Sequence, residues 1–411
     1  MSDWRVWARI GLLSFGGPAG QIALMHRDLV ERRGWIDEAR FLHALNFCMI
    51  LPGPEAMQLA TYVGWLRGGW RGGLVAGGLF VLPGAMVILA LSVVYVQGAD
   101  LALVAAALLG LKAVVIALVA QALVRLARRA VTGRFGAVVA GLAFVALFVF
   151  AVPFPLVVLA AALAGYAATR GRVAPSVALP RAAGGWRVAL VWLAVWLVPV
   201  AALLVLPGVP AVLAQVAVFF SQMAVLTFGG AYAVLAWVAQ AAVEGRGWLS
   251  AGQMLDGLAL AETTPGPLIL TLQFVGFMAG FQASGGSLVV AVLAALVTLW
   301  VTFAPCFLWI FALAPQAERL RANPALSGAL KAVTAAVVGV IASLGLWFAL
   351  HTLFAQTGVW GGVPLPVWSS LDPRAVGLTV LALLAAFVLR VPTGALILGG
   401  ALAGLALHAL G

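Results

Sequence analysis

The stretch ILPGPEAM, Ile50 to Met57, sets two prolines and a glycine inside a run that otherwise reads as a membrane helix. Proline lacks an amide hydrogen and its ring clashes with the preceding turn, so Pro52-Gly53-Pro54 interrupts the helix. The interruption returns as TTPGPLIL, Thr263 to Leu270. In lipid, backbone groups freed by such a break need partners, which are found only inside protein or beside a watery cavity.

Working outward, the break belongs to a longer repeat. LSFGGPAGQIALMHRDLVERRGW begins at Leu13 and LTFGGAYAVLAWVAQAAVEGRGW at Leu226. Trp35 and Trp248, and Pro52 and Pro265, keep the same offset as Leu13 and Leu226. A second anchor, LKAV, occurs at Leu111 and again at Leu330, after a small insertion. Several matches in one order indicate an internal duplication.

Composition places the duplication in a membrane. The 411 residues are 64% hydrophobic and 9% charged, with a mean hydropathy of +1.14. A soluble domain carries about 25% charged residues. Apolar runs and breakers give segments near 5–25, 41–66, 73–97, 101–124, 136–152 and 154–169, then an extra one near 188–206. The pattern repeats near 212–242, 252–281, 287–313, 325–350, 375–389 and 393–409. The expected division is an N-terminal repeat over 1–170, a linker with an extra span over 171–211, and a C-terminal repeat over 212–411. Six segments plus one is odd, so the second half enters from the opposite face. The fold expected is an all-α polytopic membrane protein of two inverted-topology repeats with broken or re-entrant helices and about 10–13 membrane segments.

The net charge of +11 comes from arginines in short connections, the bias that orients membrane proteins, and nucleic acid is not expected as a partner. With the N-terminus cytoplasmic, Arg5, Arg9, Arg67, Arg71, Arg125, Arg128, Arg129, Arg134, Arg170, Arg172, Arg181, Arg187, Arg319, Arg321 and Arg390 fall inside, and Arg246 and Arg374 outside. HRDLVERRGWIDEAR, with Arg27, Arg32, Arg33 and Arg40, joins the inside set only if the first two segments are re-entrant hairpins. Cys48 and Cys306 lie in apolar segments with no metal-ligand spacing, and no cofactor is expected. The N-terminus lacks a cleavable leader pattern.

The breaks suit an anion. A helix restarting after Pro52, Gly53 and Pro54, or after Pro265, Gly266 and Pro267, offers free amides and partial positive charge at its N-terminus. Ser14, Phe15, Gly16, Gly17 and Pro18, with Thr227, Gly229 and Gly230 in the repeat, allow close backbone approach. The competing account of the same residues is helix packing through small side chains. Gln58 and Thr271, one turn past the breaks, are candidate neutral donors.

The only lysines, Lys112 and Lys331, hold matching LKAV positions. Lys112 is roughly 18 Å into its span at ~1.5 Å per residue, deep for a side chain that snorkels, and intramembrane cations face a cavity or a partner. Snorkelling fits Lys331 better. Glu55 faces Leu268 in the repeat and Glu262 faces Met49; both are candidate proton carriers, and Glu55 also fits as an acid on a helix N-terminus. Asp256 and its counterpart His43 are weaker candidates.

FGGPAGQIALMHRDLVERRGWIDEARF, LPGPEAMQLATYVGW and GGLVAGGLFVLPG resemble the chromate ion transporter family in its long form with two fused halves. The resemblance covers nearly the whole chain. It implies a multi-pass protein of the bacterial inner membrane that exports chromate, a sulfate-like tetrahedral dianion, coupled to the membrane potential or to protons. Gln21 lies where many members have histidine, and FGGAY replaces F-G-G-P in the second half. The partners expected are chromate or a related oxyanion, the lipid bilayer and, for assembly, a second copy of the chain. A channel or carrier for sulfate or another anion stays open as an alternative. An intramembrane enzyme is the rival from another class, and no G-x-S-x-G, H-E-x-x-H or P-loop supports it.

Overall fold

A computed structural model of the chain describes residues 3–15, 17–98, 101–170, 185–228, 230–314, 324–360 and 363–410. The proline-containing linker after Arg170, with Arg172 and Arg181, lies outside the described residues, as do Arg319, Arg321, Gly16 and Gly229.

Helix α1 (Asp3–Leu13) stops at Ser14, and α2 (Gly17–His26) runs on through a π-helical turn at Arg27–Glu31. Helix α3 (Glu38–Cys48) then leads to the Pro52-Gly53-Pro54 break, after which α4 (Glu55–Gly98) begins. Both hairpins are re-entrant. Asp3, at the start of α1, is 3.2 Å from the Arg67 guanidinium, which lies 4.0 Å from the centroid of Trp35 just before α3. Trp35 in turn packs on Trp7. Eleven-residue helices such as α1 and α3 reach only about 16 Å at ~1.5 Å per residue, half of a ~30 Å hydrocarbon layer. Each therefore enters to mid-depth, and its partner brings the chain back to the same surface.

Gly68 and Gly69 then leave helical geometry, Gly69 at φ +59°, and the rest of α4 crosses fully. Helix α5 (Ala102–Ala130) returns, followed by the shorter α6 (Gly133–Phe148) and α7 (Phe154–Thr169) and the intervening α8 (Gly185–Val205). The second half repeats the plan as α9 (Ala211–Leu226), α10 (Ala231–Val238) with a π turn at Ala239–Gly245, and α11 (Ala251–Thr263). After its break come a 3-10 turn at Leu268–Leu270, α12 (Thr271–Ala283), α13 (Leu288–Leu313) and α14 (Pro324–Leu353). A hairpin of β1 (Thr357–Trp360) and β2 (Val363–Pro366), which the hydropathy pattern does not announce, precedes α15 (Pro373–Phe387) and α16 (Thr393–Leu410). Among the described residues, six helices are long and apolar enough to cross a membrane and five apolar ones are shorter.

The duplication extends to side-chain detail. Asp37 caps α3 by accepting from the Arg40 amide, and Ser250 caps α11 by accepting from Gln253, at equivalent positions of the two repeats. Trp7 and Trp35 have ring centroids 6.1 Å apart; Phe220 and Trp248, their counterparts, are 6.2 Å apart. Arg33 lies 5.6 Å from the Trp35 ring and Arg246 lies 5.3 Å from Trp248. These two matched clusters sit at opposite ends of the bundle. Gly73, just past the first-half surface, abuts Phe311 near the end of α13, while α13 starts from the second-half surface, a helix of 26 residues away. The inversion expected from the odd segment is present.

Helices approach closely where glycine removes a side chain. A Cβ on Gly110 of α5 would lie 1.9 Å from the Gly400 carbonyl of α16, and one on Gly339 of α14 would lie 2.1 Å from the Ala140 carbonyl of α6. Small residues at such crossings are the usual means of packing in lipid, where burial of apolar surface supplies no drive. Arg32→Cys and Arg246→Cys variants are expected to react with an impermeant maleimide from opposite sides of sealed vesicles. Labelling of both from one side would overturn the inverted arrangement.

Candidate functional site

The two breaks meet, and each is completed by the other half. The Gly53 amide donates to the Thr227 carbonyl at 2.8 Å, and the Gly266 amide donates to the Ser14 carbonyl, also at 2.8 Å. The two donors are repeat equivalents, and so are the two acceptors. The hydroxyls of Ser14 and Thr227 turn back onto the carbonyls of Ile10 and Met223, at 2.6 Å each. Gly53 and Gly266 have φ of +118° and +98°, a region closed to ordinary side chains, which is why glycine stands between the prolines. These two amides, expected to be free for an anion, are therefore spent on the crossing. The side chains of Gln58 and Thr271 are spent as well: Gln58 donates to the Pro52 carbonyl at 2.6 Å and Thr271 to Leu268 at 2.8 Å. Gln21 donates to the Gly266 carbonyl at 2.6 Å and so ties α2 to the second break.

A bilobed cavity opens beside the crossing. The larger lobe, about 580 Å³, reaches Gly53, Glu55, Arg129, Gly230 and Lys331. The smaller, about 230 Å³, reaches Gly17, Pro18, Glu55, Arg125, Tyr232 and Glu262. Glu55, Arg129 and Gly230 line both lobes. The first turn of α4 meets this space at Glu55, and the amides of a helix's first turn have no partner within the helix. Residues from both halves thus converge on one space.

The second break does not share it. Pro265, Gly266 and Pro267 are buried, and a Cβ on Gly84 of α4 would lie 2.1 Å from the Pro265 carbonyl. Phe15, next to the buried Ser14, is 47% exposed. The departure from F-G-G-P in the second half has a structural counterpart: Tyr232, where the first half has Ala19, donates its hydroxyl to Glu262 at 2.5 Å.

Arg125 and Arg129 are the residues that sequence reading assigned only to orientation. Standing four apart on the last turns of α5, they share a helix face, and that spacing was the available signal. Among the described residues, Arg125, Arg129 and Lys331 make no ion pair with a carboxylate. Lys112 is not brought to this cavity. It precedes Arg129 on α5 by about 25 Å along the helix at ~1.5 Å per residue. Its ammonium is 2.9 Å from Asp256.

Apolar spans, an inverted pair of broken hairpins and a polar cavity against the crossing define a multi-pass membrane protein with the build of a transporter. The chromate transporter family model matches residues 4–166 and 214–405, and the chain belongs to that family. It is 34% identical over 351 residues to a chromate transport protein of Pseudomonas aeruginosa, covering 81% of this chain and 77% of that one. The chromate transport protein of Cupriavidus metallidurans is 30% identical over 345 residues, 81% of this chain and 78% of its own. An uncharacterized transporter of Methanocaldococcus jannaschii is 24% identical over 350 residues, 83% of this chain and 82% of its own. No solved structure matches the chain.

Gly53→Ala is expected to cost about 1–3 kcal/mol, the range for backbone held in a sparsely populated region. Its methyl would lie 2.8 Å from the Gln58 amide nitrogen and 3.0 Å from the Cys306 sulfur. Gly68→Ala, with nothing within 4 Å, serves as the control. A lower melting temperature for Gly53→Ala alone checks the account, and equal melting of the two variants refutes it.

Proposed function

We propose that this protein is a secondary transporter that exports chromate across the bacterial inner membrane. The observation that carries the reading is the convergence of Arg125, Arg129 and Lys331, none of them ion-paired among the described residues, on the cavity beside the first-half break. A dianion loses its hydration on entering the membrane and needs fixed positive charge and hydrogen-bond donors in exchange. Arginine offers a planar fork matched to two oxygens of a tetrahedral oxyanion, and lysine offers a compact charge. The first turn of α4 adds the positive end of a half-helix.

Direction follows from charge. The cavity lies toward the end of the bundle that carries Arg67, Arg129 and the Arg32 loop, which the positive-inside rule makes cytoplasmic. An inside-negative potential then favours outward movement of an anion by about 2.3 kcal/mol per net charge per 100 mV. Glu55 and Glu262 share the cavity with the arginines, so a proton on either would change the charge the anion meets. Inverted repeats supply two ways of exposing one site, which is the logic of a carrier rather than a channel. The reading needs no second copy, because both halves of the crossing lie in one chain. Sulfate has the same shape and charge and is the second substrate to test. An intramembrane enzyme has less support, because the relatives are named as transporters.

Chromate accumulation in everted vesicles, with and without an imposed gradient, tests the reading. Arg129→Gln is expected to lower the initial rate at least tenfold, about 1.4 kcal/mol of lost stabilisation. Arg128→Gln, which changes the neighbouring charge, should leave it within twofold. Equal rates for wild type and Arg129→Gln would remove the cavity from the transport path, and a wild-type rate that ignores a collapsed gradient would remove the coupling.

A further inference from the structure

A second polar cavity lies at the far end of α5. It has a volume of about 420 Å³ and is lined by Lys112, Asp256, Tyr95, Gln253, Gln282 and Ala105 among others. Its position follows from the duplication. Leu108 and Lys112 line it, and their counterparts in the second LKAV segment, Ser327 and Lys331, line the larger lobe of the first cavity. An inversion that maps one half on the other also maps a lysine-bearing cavity at one membrane surface onto one at the opposite surface.

The two lysines differ in one respect. Lys331 has no carboxylate partner among the described residues, whereas Lys112 is held by Asp256, one carboxylate oxygen 2.9 Å from its ammonium. The other oxygen accepts from the Tyr95 hydroxyl at 2.9 Å. Asp256 has no acidic counterpart, since His43 holds the equivalent position in the first repeat. Gln253 and Gln282, bonded to each other at 3.0 Å, add neutral donors at the rim. The groups packed around the Asp256 carboxylate are therefore Lys112 from α5, Tyr95 from α4 and the two glutamines from α11 and α12.

We infer that the Lys112 cavity is a second oxyanion site, on the exit side, and that Asp256 occupies it as a tethered substitute for the oxyanion. The inference rests on the transport reading above. A carboxylate presents two oxygens where a tetrahedral dianion would present two of its four. Lys112 and the Tyr95 hydroxyl are thus satisfied while the site is empty, which removes the cost of a lone intramembrane cation. An arriving dianion displaces Asp256 from Lys112, and the returning carboxylate expels the dianion. A site that bound the oxyanion with no competitor would hold it; the tether favours release.

The test uses full-length purified protein carrying Cys48→Ala, because Cys48 lines the first cavity, with Ala105→Cys as a reporter on the wall of the second; the remaining Cys306 is buried and serves as the background. Maleimide labelling is followed against molybdate, a tetrahedral dianion that, unlike chromate, does not oxidise thiols. Molybdate should slow labelling, and Asp256→Asn should lower the concentration for half protection at least tenfold. The double variant Lys112→Gln, Asp256→Asn leaves no unpaired charge to disturb folding and should lose protection entirely. No protection in the Ala105→Cys protein, protection unchanged by Asp256→Asn, or protection that survives the double variant would each overturn the second site. If protection fails while vesicles still accumulate chromate, the second site falls and the transport reading stands. If protection follows the expected pattern while vesicles accumulate nothing, the site stands as an anion site and the transport reading falls.

Discussion

Two backbone hydrogen bonds, Gly53 to Thr227 and Gly266 to Ser14, hold the chain in a form that neither half could keep alone. Each half breaks a helix at mid-depth, and each break exposes an amide that lipid cannot satisfy. The carbonyls that satisfy them sit at the ends of α1 and α9, where those helices stop short. Glycine at each donor allows the required positive φ, and proline on either side prevents the helix from closing over the gap. The odd span inverts the second half, and bringing the two breaks together then sets the crossing and the cavity beside it.

Symmetry ends at the cavity. The first break faces open space at Gly53 and Glu55, while the second is packed against Gly84. Three exchanges between the repeats contribute to the polar wall: Glu262 for Met49, Tyr232 for Ala19, and Glu55 where the second half has Leu268. Glu262 and Tyr232 place a hydrogen-bonded carboxylate in the same lobe as the arginines of α5. A duplicated backbone thus carries different chemistry at its two breaks, because the repeat fixes backbone geometry and individual side chains supply the chemistry.

Helix α5 links the two polar regions. Lys112 stands about 15 Å along it at ~1.5 Å per residue, Arg125 and Arg129 stand near its last turn, and Gly110 lets α16 lie against it. Movement of a dianion between the two ends would trade one set of cations for the other along a rigid element. Lys112 is held in an ion pair, whereas Arg125, Arg129 and Lys331 have none among the described residues.

The sequence by itself determined the membrane class, the duplication and the inversion. Composition limits how a chain can meet water, the offset between Leu13 and Leu226 survives in plain letters, and an odd span must reverse the second half. It also marked Pro52-Gly53-Pro54, Glu55, Glu262 and Lys112 for attention, because charge and helix breakers are costly in lipid wherever they occur, and it read Lys331 as a snorkelling side chain. Only the tertiary structure decided which of these share a space. The commitment of the Gly53 and Gly266 amides depends on carbonyls in the opposite half of the chain, and local pattern carries no record of them. Arg125 and Arg129 looked like orienting charges because their partners across the cavity, on α3, α10 and α11, are set by packing rather than by spacing. Depth along α5 is legible and predicts that Lys112 faces a cavity or a partner, but which partner it meets is set by packing, since Asp256 comes from the other half.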